Sequence, residues 1–181
     1  SQGAKNLALW DVDLAGARAL AEELSGRGVD ARAYGVNVAD LAAVQEAVRQ
    51  VHVDLGAVDV LINNAGIVKG GPFWEHDAEA DIAGTMNVNT VGPMWLTREI
   101  LPSMMHDTSR PKRILNIASA AGTLANPNMS VYAASKWAMI GWSESLRLEL
   151  QKKGYDHIGI TTFCPSFIST GMFAGAKGAL L

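Results

Sequence analysis

The chain has 181 residues, 49% of them apolar, which is enough for a buried core, and we expect one domain over residues 1–181. A net charge of −3 with no lysine- or arginine-rich run excludes nucleic acid as an expected partner, and no apolar run approaches the ~20 residues that span a bilayer. The single cysteine, Cys164, excludes an intrachain disulfide, and the four histidines are scattered, so we expect no metal and a cytoplasmic location.

Short apolar runs alternate with helical patterns from one end of the chain to the other. Asp40 is placed to cap the second helix, and Gly26 ends the first. Such alternation predicts an α/β fold with a parallel sheet that helices cover on both faces. The predicted strands are residues 6–13, 32–38, 58–66, 113–120 and 157–166, and the predicted helices are residues 14–24, 41–55, 80–105 and 130–153.

Tyr132 and Lys136 form the pattern that points most directly to chemistry. A spacing of four residues puts both side chains on one face of a helix, one turn apart. An ammonium beside a phenol favours the phenolate, so we expect Lys136 to lower the pKa of Tyr132. Ser119 could then donate a hydrogen bond to the same substrate oxygen. The alternative is a half-buried ring beside a solvated amine, which is common on amphipathic helices.

Four further motifs accompany this pair in a fixed order. They are LINNAG at 61–66, NVN at 87–89, ASAAG at 118–122 and CPSFIST at 164–170. With these motifs the chain resembles the short-chain dehydrogenase/reductases of the Asn-Asn-Ala-Gly branch. The resemblance implies a Rossmann-like, doubly wound parallel sheet. Because a glycine-rich turn is missing, the resemblance also implies that the first, central strand is absent from the chain. The chain also stops before the last helix and strand that the family normally carries, so the last strand is expected to be absent as well.

The resemblance implies four catalytic residues. Tyr132 would donate or accept the proton, and Lys136 would lower its pKa and hold the nicotinamide ribose. Ser119 would bind the reacting oxygen. Asn89 would bend its helix and hold a water near Lys136, although a surface amide is the alternative interpretation.

The resemblance also implies residues that contact a dinucleotide. Asp11, at the end of the first strand, would accept hydrogen bonds from the adenosine ribose and repel a 2′-phosphate, which favours NAD over NADP. Capping of the following helix is the alternative for Asp11 or Asp13, and Asp13 suits it better. Asn37 and Val38 would lie against the adenine.

The remaining cofactor contacts come from two loops. Small residues after the third strand would let the cofactor approach closely, although an ordinary turn also suits them. The second loop, beside the nicotinamide carboxamide, follows Cys164. The residues concerned are Asn64, Ala65 and Gly66 in the first loop, and Pro165, Ile168 and Thr170 in the second.

We therefore expect hydride transfer between NAD(H) and a secondary alcohol or ketone. Met129 and residues 69–74 would line the substrate side together with Phe167, Met172 and Phe173, which suggests a hydrophobic substrate. Trp95 and Trp142 lie on helices that relatives use for subunit contacts, so a homodimer or homotetramer is expected. The alternatives are a sugar-nucleotide epimerase or dehydratase, and a non-catalytic dinucleotide sensor or scaffold.

Overall fold

The computed structural model describes residues 3–166 of the chain, which form an α/β structure. The strands are β1 (Asn6–Asp11), β2 (Asp30–Gly35), β3 (Val60–Asn63), β4 (Lys112–Ile117) and β5 (Ile158–Phe163). The helices are α1 (Leu14–Ser25), α2 (Leu41–Leu55), α3 (Gly84–Met86), α4 (Gly92–His106) and α5 (Ser130–Lys152). The predicted strands and three of the four predicted helices are thus confirmed in order and type, with ends that differ by a few residues, whereas the predicted helix at 80–105 is divided.

All the strand pairs are parallel, and they fall into two sheets. β1 pairs with β2, with Leu9 opposite Ala33, and β4 lies between β3 and β5, with Ile114 opposite Leu61 and Ile160. Within residues 3–166 no strand pairs with both β1 and β3, which is where the resemblance places a central strand. The parallel, helix-flanked architecture expected from the sequence is confirmed.

Helices cover both faces of the β1–β2 sheet because alternate residues of a strand point to opposite sides. Leu7 and Leu9 pack with Ala21 of α1. Ala8 and Trp10, in the intervening positions, pack instead against the main core. That core unites residues of α2, α4 and the second sheet, including Val44, Ile100, Met104, Ile114 and Ile158.

Aspartates cap the first two long helices. Asp13 accepts a hydrogen bond from Gly16 N at 3.1 Å, and Asp40 accepts from Ala42 N and Ala43 N at 2.9 and 3.1 Å. These bonds satisfy N–H groups that have no partner inside the helix. Among the described residues, no helix combines the length and the apolarity that a bilayer-spanning segment requires.

Residues 80–105, predicted as one long helix, are interrupted by two π-helical segments, Ala78–Ala83 and Asn87–Val91. In the second, Gly92 N donates to Asn87 O, five residues back. Such a wide turn redirects the side chains that follow, and π-turns occur often at functional sites. The helical period of the sequence does not predict this wide turn. A periodic pattern reports neighbours along the chain, whereas the wide turn is accompanied by contacts of Asn89 with distant residues.

Candidate active site

Three strands of the second sheet end at one edge, and the predicted site residues follow them there. Asn64 comes directly after β3, Ser119 lies two residues after β4, and Pro165 lies two residues after β5. The last two segments are joined, because Ala120 N donates to Pro165 O at 2.9 Å. In open α/β sheets, ligands bind outside the carboxyl ends of the strands. This edge is therefore the candidate site.

The structure places Tyr132 and Lys136 together at this edge, as their spacing predicted. Both side chains are buried, with about 4% of each residue exposed, and the Lys136 Nζ lies 5.7 Å from the centre of the Tyr132 ring. The amine donates a hydrogen bond to Ile117 O at 2.8 Å. Because Ile117 ends β4, this bond ties the turn of α5 that carries Tyr132 and Lys136 to the strand that leads into Ser119.

The expected lowering of the Tyr132 pKa is not found. Burial raises the pKa of the phenol above its ordinary value of 10.0, and a hydrogen-bonding interaction with the Ser119 hydroxyl opposes this increase. Desolvation disfavours the phenolate, while the Lys136 amine is engaged with Ile117 O instead of the phenol oxygen. At neutral pH Tyr132 is therefore a protonated phenol, able to donate a proton.

Burial has the opposite effect on the lysine. It lowers the pKa of Lys136 from 10.5 to about 8, and the nearby Cys164 acts in the other direction. An amine in a desolvated position is less stable as the ammonium. With a pKa of about 8, Lys136 is mostly protonated at neutral pH and titrates just above it.

Asn89 has a buried side chain that makes three hydrogen bonds. Its Oδ1 accepts from Ile67 N at 2.8 Å, and its Nδ2 donates to Ile67 O at 2.9 Å and to Ser135 Oγ at 3.0 Å. The alternative of a surface amide is wrong, since Asn89 is fully buried. Asn89 lies in the π-helical segment Asn87–Val91, and the helix bend that the resemblance implies stays a prediction. The side chain clamps α5 to the segment after β3, and a role in a water relay stays a proposal.

The predicted adenosine-side residues lie at the ends of β1 and β2. Asp11 is exposed, and its Oδ1 accepts from Asp13 N at 2.9 Å, whereas Asp13 caps α1. The capping role therefore belongs to Asp13, as its position suggested. Asn37 is exposed and accepts from Ala39 N at 3.0 Å, and Val38 is half-buried.

The small residues Ala65 and Gly66 continue the chain from Asn64 toward Ile67, where Asn89 holds the backbone. Asn64 and Ala65 are exposed at the strand edge, as a cofactor-facing segment would require. Further predicted residues lie outside the part of the chain that the structure describes: Ile168, Thr170, Phe167, Met172 and Phe173.

The substrate-side loops predicted from the sequence are neighbours. Gly71 N donates to Asn128 O at 2.9 Å, so the loop at 69–74 is joined to the segment that contains Met129. In this loop Phe73 is 56% exposed and Trp74 is 84% exposed. Large apolar side chains that face solvent beside a candidate site are suited to an apolar ligand.

A buried polar network lies next to the site and was missed by the sequence analysis. Asn63 Nδ2 donates to Thr97 Oγ1 at 3.0 Å and to Asn116 Oδ1 at 2.7 Å, and Asn116 Nδ2 donates to Ser143 Oγ at 2.8 Å. It connects β3, α4, β4 and α5 just before the strand ends. The available signal was an asparagine inside each of two apolar strands, since buried amides need partners.

Ser135, between Tyr132 and Lys136, was also missed. It is fully buried, although the sequence shows only a serine on a helix. Its position three residues after Tyr132 places it on the buried side, and this spacing was the available signal. Trp95 and Trp142, which were predicted at subunit contacts, are half-buried on α4 and α5.

Comparison with protein-family models gives a match to short chain dehydrogenase over residues 1–179. The chain is 34% identical over 165 residues to human 17-beta-hydroxysteroid dehydrogenase 13, covering 91% of this chain and 54% of that protein. It is 36% identical over 144 residues to zebrafish (Danio rerio) retinol dehydrogenase 10-A, covering 80% of this chain and 42% of the relative. The chain thus spans about half the length of these relatives.

Solved structures agree with this result. A short chain dehydrogenase/reductase from Burkholderia phymatum in complex with NAD superposes with a TM-score of 0.88 at 32% identity, covering 93% of this chain and 59% of that one. An NAD+-bound xylitol dehydrogenase superposes with a TM-score of 0.83 at 29% identity, covering 93% and 63%. From its fold, its sequence and the arrangement at the strand ends, the chain belongs to the short-chain dehydrogenase family.

Proposed function

We propose that the protein carrying this chain is an NAD(H)-dependent oxidoreductase that interconverts a hydrophobic secondary alcohol and its ketone. The observation that carries the proposal is the group formed by the half-buried Ser119 and the buried Tyr132 and Lys136 at the carboxyl edge of the sheet. A protonated phenol and a neighbouring serine hydroxyl can both donate hydrogen bonds to one substrate oxygen. A buried amine provides positive charge next to them.

The described residues fit parts of a dinucleotide. Asp11 and Asn37 offer exposed polar atoms at the ends of β1 and β2, and Lys136 offers an amine for the nicotinamide ribose. Ala65 and Gly66 leave room for close approach of a ligand to the backbone. Within residues 3–166, the residues that fit a dinucleotide lie on the adenosine and nicotinamide sides. A bound nicotinamide supplies or accepts the hydride.

In the direction of ketone reduction, Tyr132 donates its phenolic proton to the carbonyl oxygen as the substrate carbon gains a hydride. Ser119 donates a hydrogen bond to the same oxygen and so stabilises negative charge that develops on it. The Lys136 amine, held by Ile117 O, would contact the nicotinamide ribose. Alcohol oxidation is the reverse, with Tyr132 accepting the hydroxyl proton. The raised Tyr132 pKa favours the protonated form that reduction requires at neutral pH.

A hydrophobic substrate is supported by the exposed Phe73 and Trp74 in the loop that contacts Asn128. Relatives named for hydroxysteroid and retinol substrates point in the same direction. NAD is proposed over NADP because Asp11 would repel a 2′-phosphate.

The test measures NADH absorbance during turnover of a panel of apolar and polar secondary alcohols and ketones. Tyr132→Phe removes one oxygen and keeps the ring, and we expect it to lower kcat by about 10²–10⁴-fold. Tyr155→Phe is the matched control, because Tyr155 packs against the core away from the site. Unchanged turnover in Tyr132→Phe would exclude the proposed proton donor, and a preference for polar alcohols would exclude the proposed substrate class.

A further inference from the structure

Ser135 is a buried serine in the turn of α5 that carries Tyr132 and Lys136. No atom of it reaches solvent, and its hydroxyl has partners on both sides. Its Oγ donates to Tyr132 O at 2.7 Å and accepts from Asn89 Nδ2 at 3.0 Å. Its own carbonyl accepts from Thr90 Oγ1 at 3.0 Å. Three hydrogen bonds therefore connect this one residue to the π-helical segment Asn87–Val91 and to the backbone of Tyr132.

The same π-helical segment holds the chain that follows β3. Asn89 bonds both the N–H and the C=O of Ile67, which comes directly after the proposed cofactor-facing residues Asn64, Ala65 and Gly66. The Asn89 side chain thus bonds both the backbone next to the proposed cofactor-facing residues and the Ser135 hydroxyl. A short series of buried hydrogen bonds therefore connects that segment to the backbone of Tyr132.

Gly92, next to the π-helical segment, fixes it from a third direction. A Cβ at Gly92 would lie 2.5 Å from Val38 O, so the segment packs directly on the backbone of the proposed adenine-side residues. Close backbone packing leaves little room for the segment to move and compensate for a lost bond. If the Ser135 hydroxyl is lost, we therefore expect α5, and not the π-helical segment, to move.

We propose that Ser135 is a positioning residue. Its hydroxyl fixes the α5 turn that carries Tyr132 and Lys136 relative to the segment that follows β3, so that the Tyr132 phenol lies where proton transfer requires it. This inference rests on the proposed function and extends it to a residue that touches neither substrate nor cofactor. Removal of the hydroxyl leaves one Asn89 N–H without its acceptor and removes the side-chain hydrogen bond to the Tyr132 carbonyl. Misplacement by a fraction of an ångström at the reacting atoms reduces the rate without weakening cofactor binding.

Ser143 provides a matched control on the same helix. It is equally buried, its hydroxyl donates to Met139 O at 2.6 Å, and it accepts from an asparagine amide, Asn116 Nδ2, at 2.8 Å. The two serines thus make the same kinds of bonds, but Ser143 lies two turns beyond Lys136. Ser135→Ala and Ser143→Ala should cost similar stability, and only the first should alter chemistry.

The experiment compares the two alanine variants by thermal unfolding, steady-state kinetics and NMR titration of labelled tyrosine, with the Tyr132 signal assigned from Tyr132→Phe. For Ser135→Ala we expect kcat to fall by about 10–100-fold, with KM for NAD unchanged and a displaced Tyr132 titration. Ser143→Ala should lower the melting temperature by as much as Ser135→Ala does, and it should leave kcat and the Tyr132 titration at their original values.

Equal kinetic effects of the two substitutions, or no displacement of the Tyr132 titration in Ser135→Ala, would overturn the inference. If the unsubstituted protein shows no turnover, the proposed function fails, and the NMR titration decides the positioning role alone. Where Ser135→Ala does not fold, Ser135→Cys serves instead, because a thiol is a weak donor and acceptor of similar size. A cysteine variant with the kinetics and titration of the unsubstituted protein would also contradict the proposal.

Discussion

Replacing Lys136 by methionine should stabilise the folded chain at neutral pH even as it removes a proposed catalytic group. Burial lowers the pKa of this amine from 10.5 to about 8, and such a change corresponds to about 3 kcal/mol of unfavourable free energy for the ammonium. The lost bond to Ile117 O offsets about 1–2 kcal/mol of the gain. Methionine keeps an unbranched apolar stem, so we expect a net stabilisation of about 1–2 kcal/mol at pH 7.

The pH dependence gives the sharper form of this prediction. Because the folded-state pKa lies below the unfolded-state value, the unfolded chain binds more protons between pH 8 and 10.5. The stability of the unsubstituted chain should therefore rise with pH across that window, relative to the variant, by up to about 1.4 kcal/mol per pH unit. Folding raises the pKa values of Tyr34 and Tyr132, so these two residues lower the stability of the folded chain as the pH rises above 10. Measurements should therefore stop at pH 10.

The assay is urea unfolding of both proteins at intervals from pH 7 to 10, with the free energies compared at each pH. Lys152→Met, which removes an exposed amine near the end of the same helix, is the control and should give a constant difference. A difference between Lys136→Met and the unsubstituted chain that stays constant from pH 7 to 10 would refute the reasoning. Loss of stability at pH 7 would show that the bond to Ile117 outweighs the burial of charge.

Three further predictions concern the cofactor side, the far end of the sheet and a close backbone contact. Asp11→Ala should weaken NAD binding by several-fold more than NADP binding in calorimetric titrations, and equal losses would argue against contact with the ribose. Lys112 is fully buried and paired with two carboxylates about a third exposed, so Lys112→Ala should cost about 2–3 kcal/mol in urea unfolding; an unchanged midpoint would contradict this. Gly92→Ala should destabilise by about 1–3 kcal/mol, because its Cβ would lie 2.5 Å from Val38 O. Gly141→Ala, with open space around it, should instead stabilise α5 by about 0.5–1 kcal/mol, and equal effects of the two glycine substitutions would refute the close-contact argument.

Local sequence was sufficient for the order and type of the main elements. Asp13 and Asp40 cap helices where their positions predicted, and α2 runs from Leu41 to Leu55 as its apolar stripe required. Caps and periodicity act through neighbours a few residues away, so they can be read without knowing the fold. The same holds for Tyr132 and Lys136, which share a helix face because four residues separate them.

Contacts between distant parts of the chain decided what the sequence could not indicate. The predicted helix at 80–105 is broken by π-helical segments, and the second of these carries Asn89, whose amide bonds Ile67, twenty-two residues earlier. Asn63 and Asn116 lie in different strands, fifty-three residues apart, and meet only because those strands pair. Neither contact produces a periodic pattern.

The residue types of the site, and their grouping along the chain, were determined by the sequence itself, because spacing on a single helix is local geometry. The protonation of that site was decided by the tertiary structure. Burial of Tyr132 raises the pKa of the phenol. The Lys136 amine, which was expected to lower that pKa, donates its hydrogen bond to Ile117 O instead. Desolvation depends on everything packed around a group, and therefore only the folded chain determines whether the phenol keeps its proton.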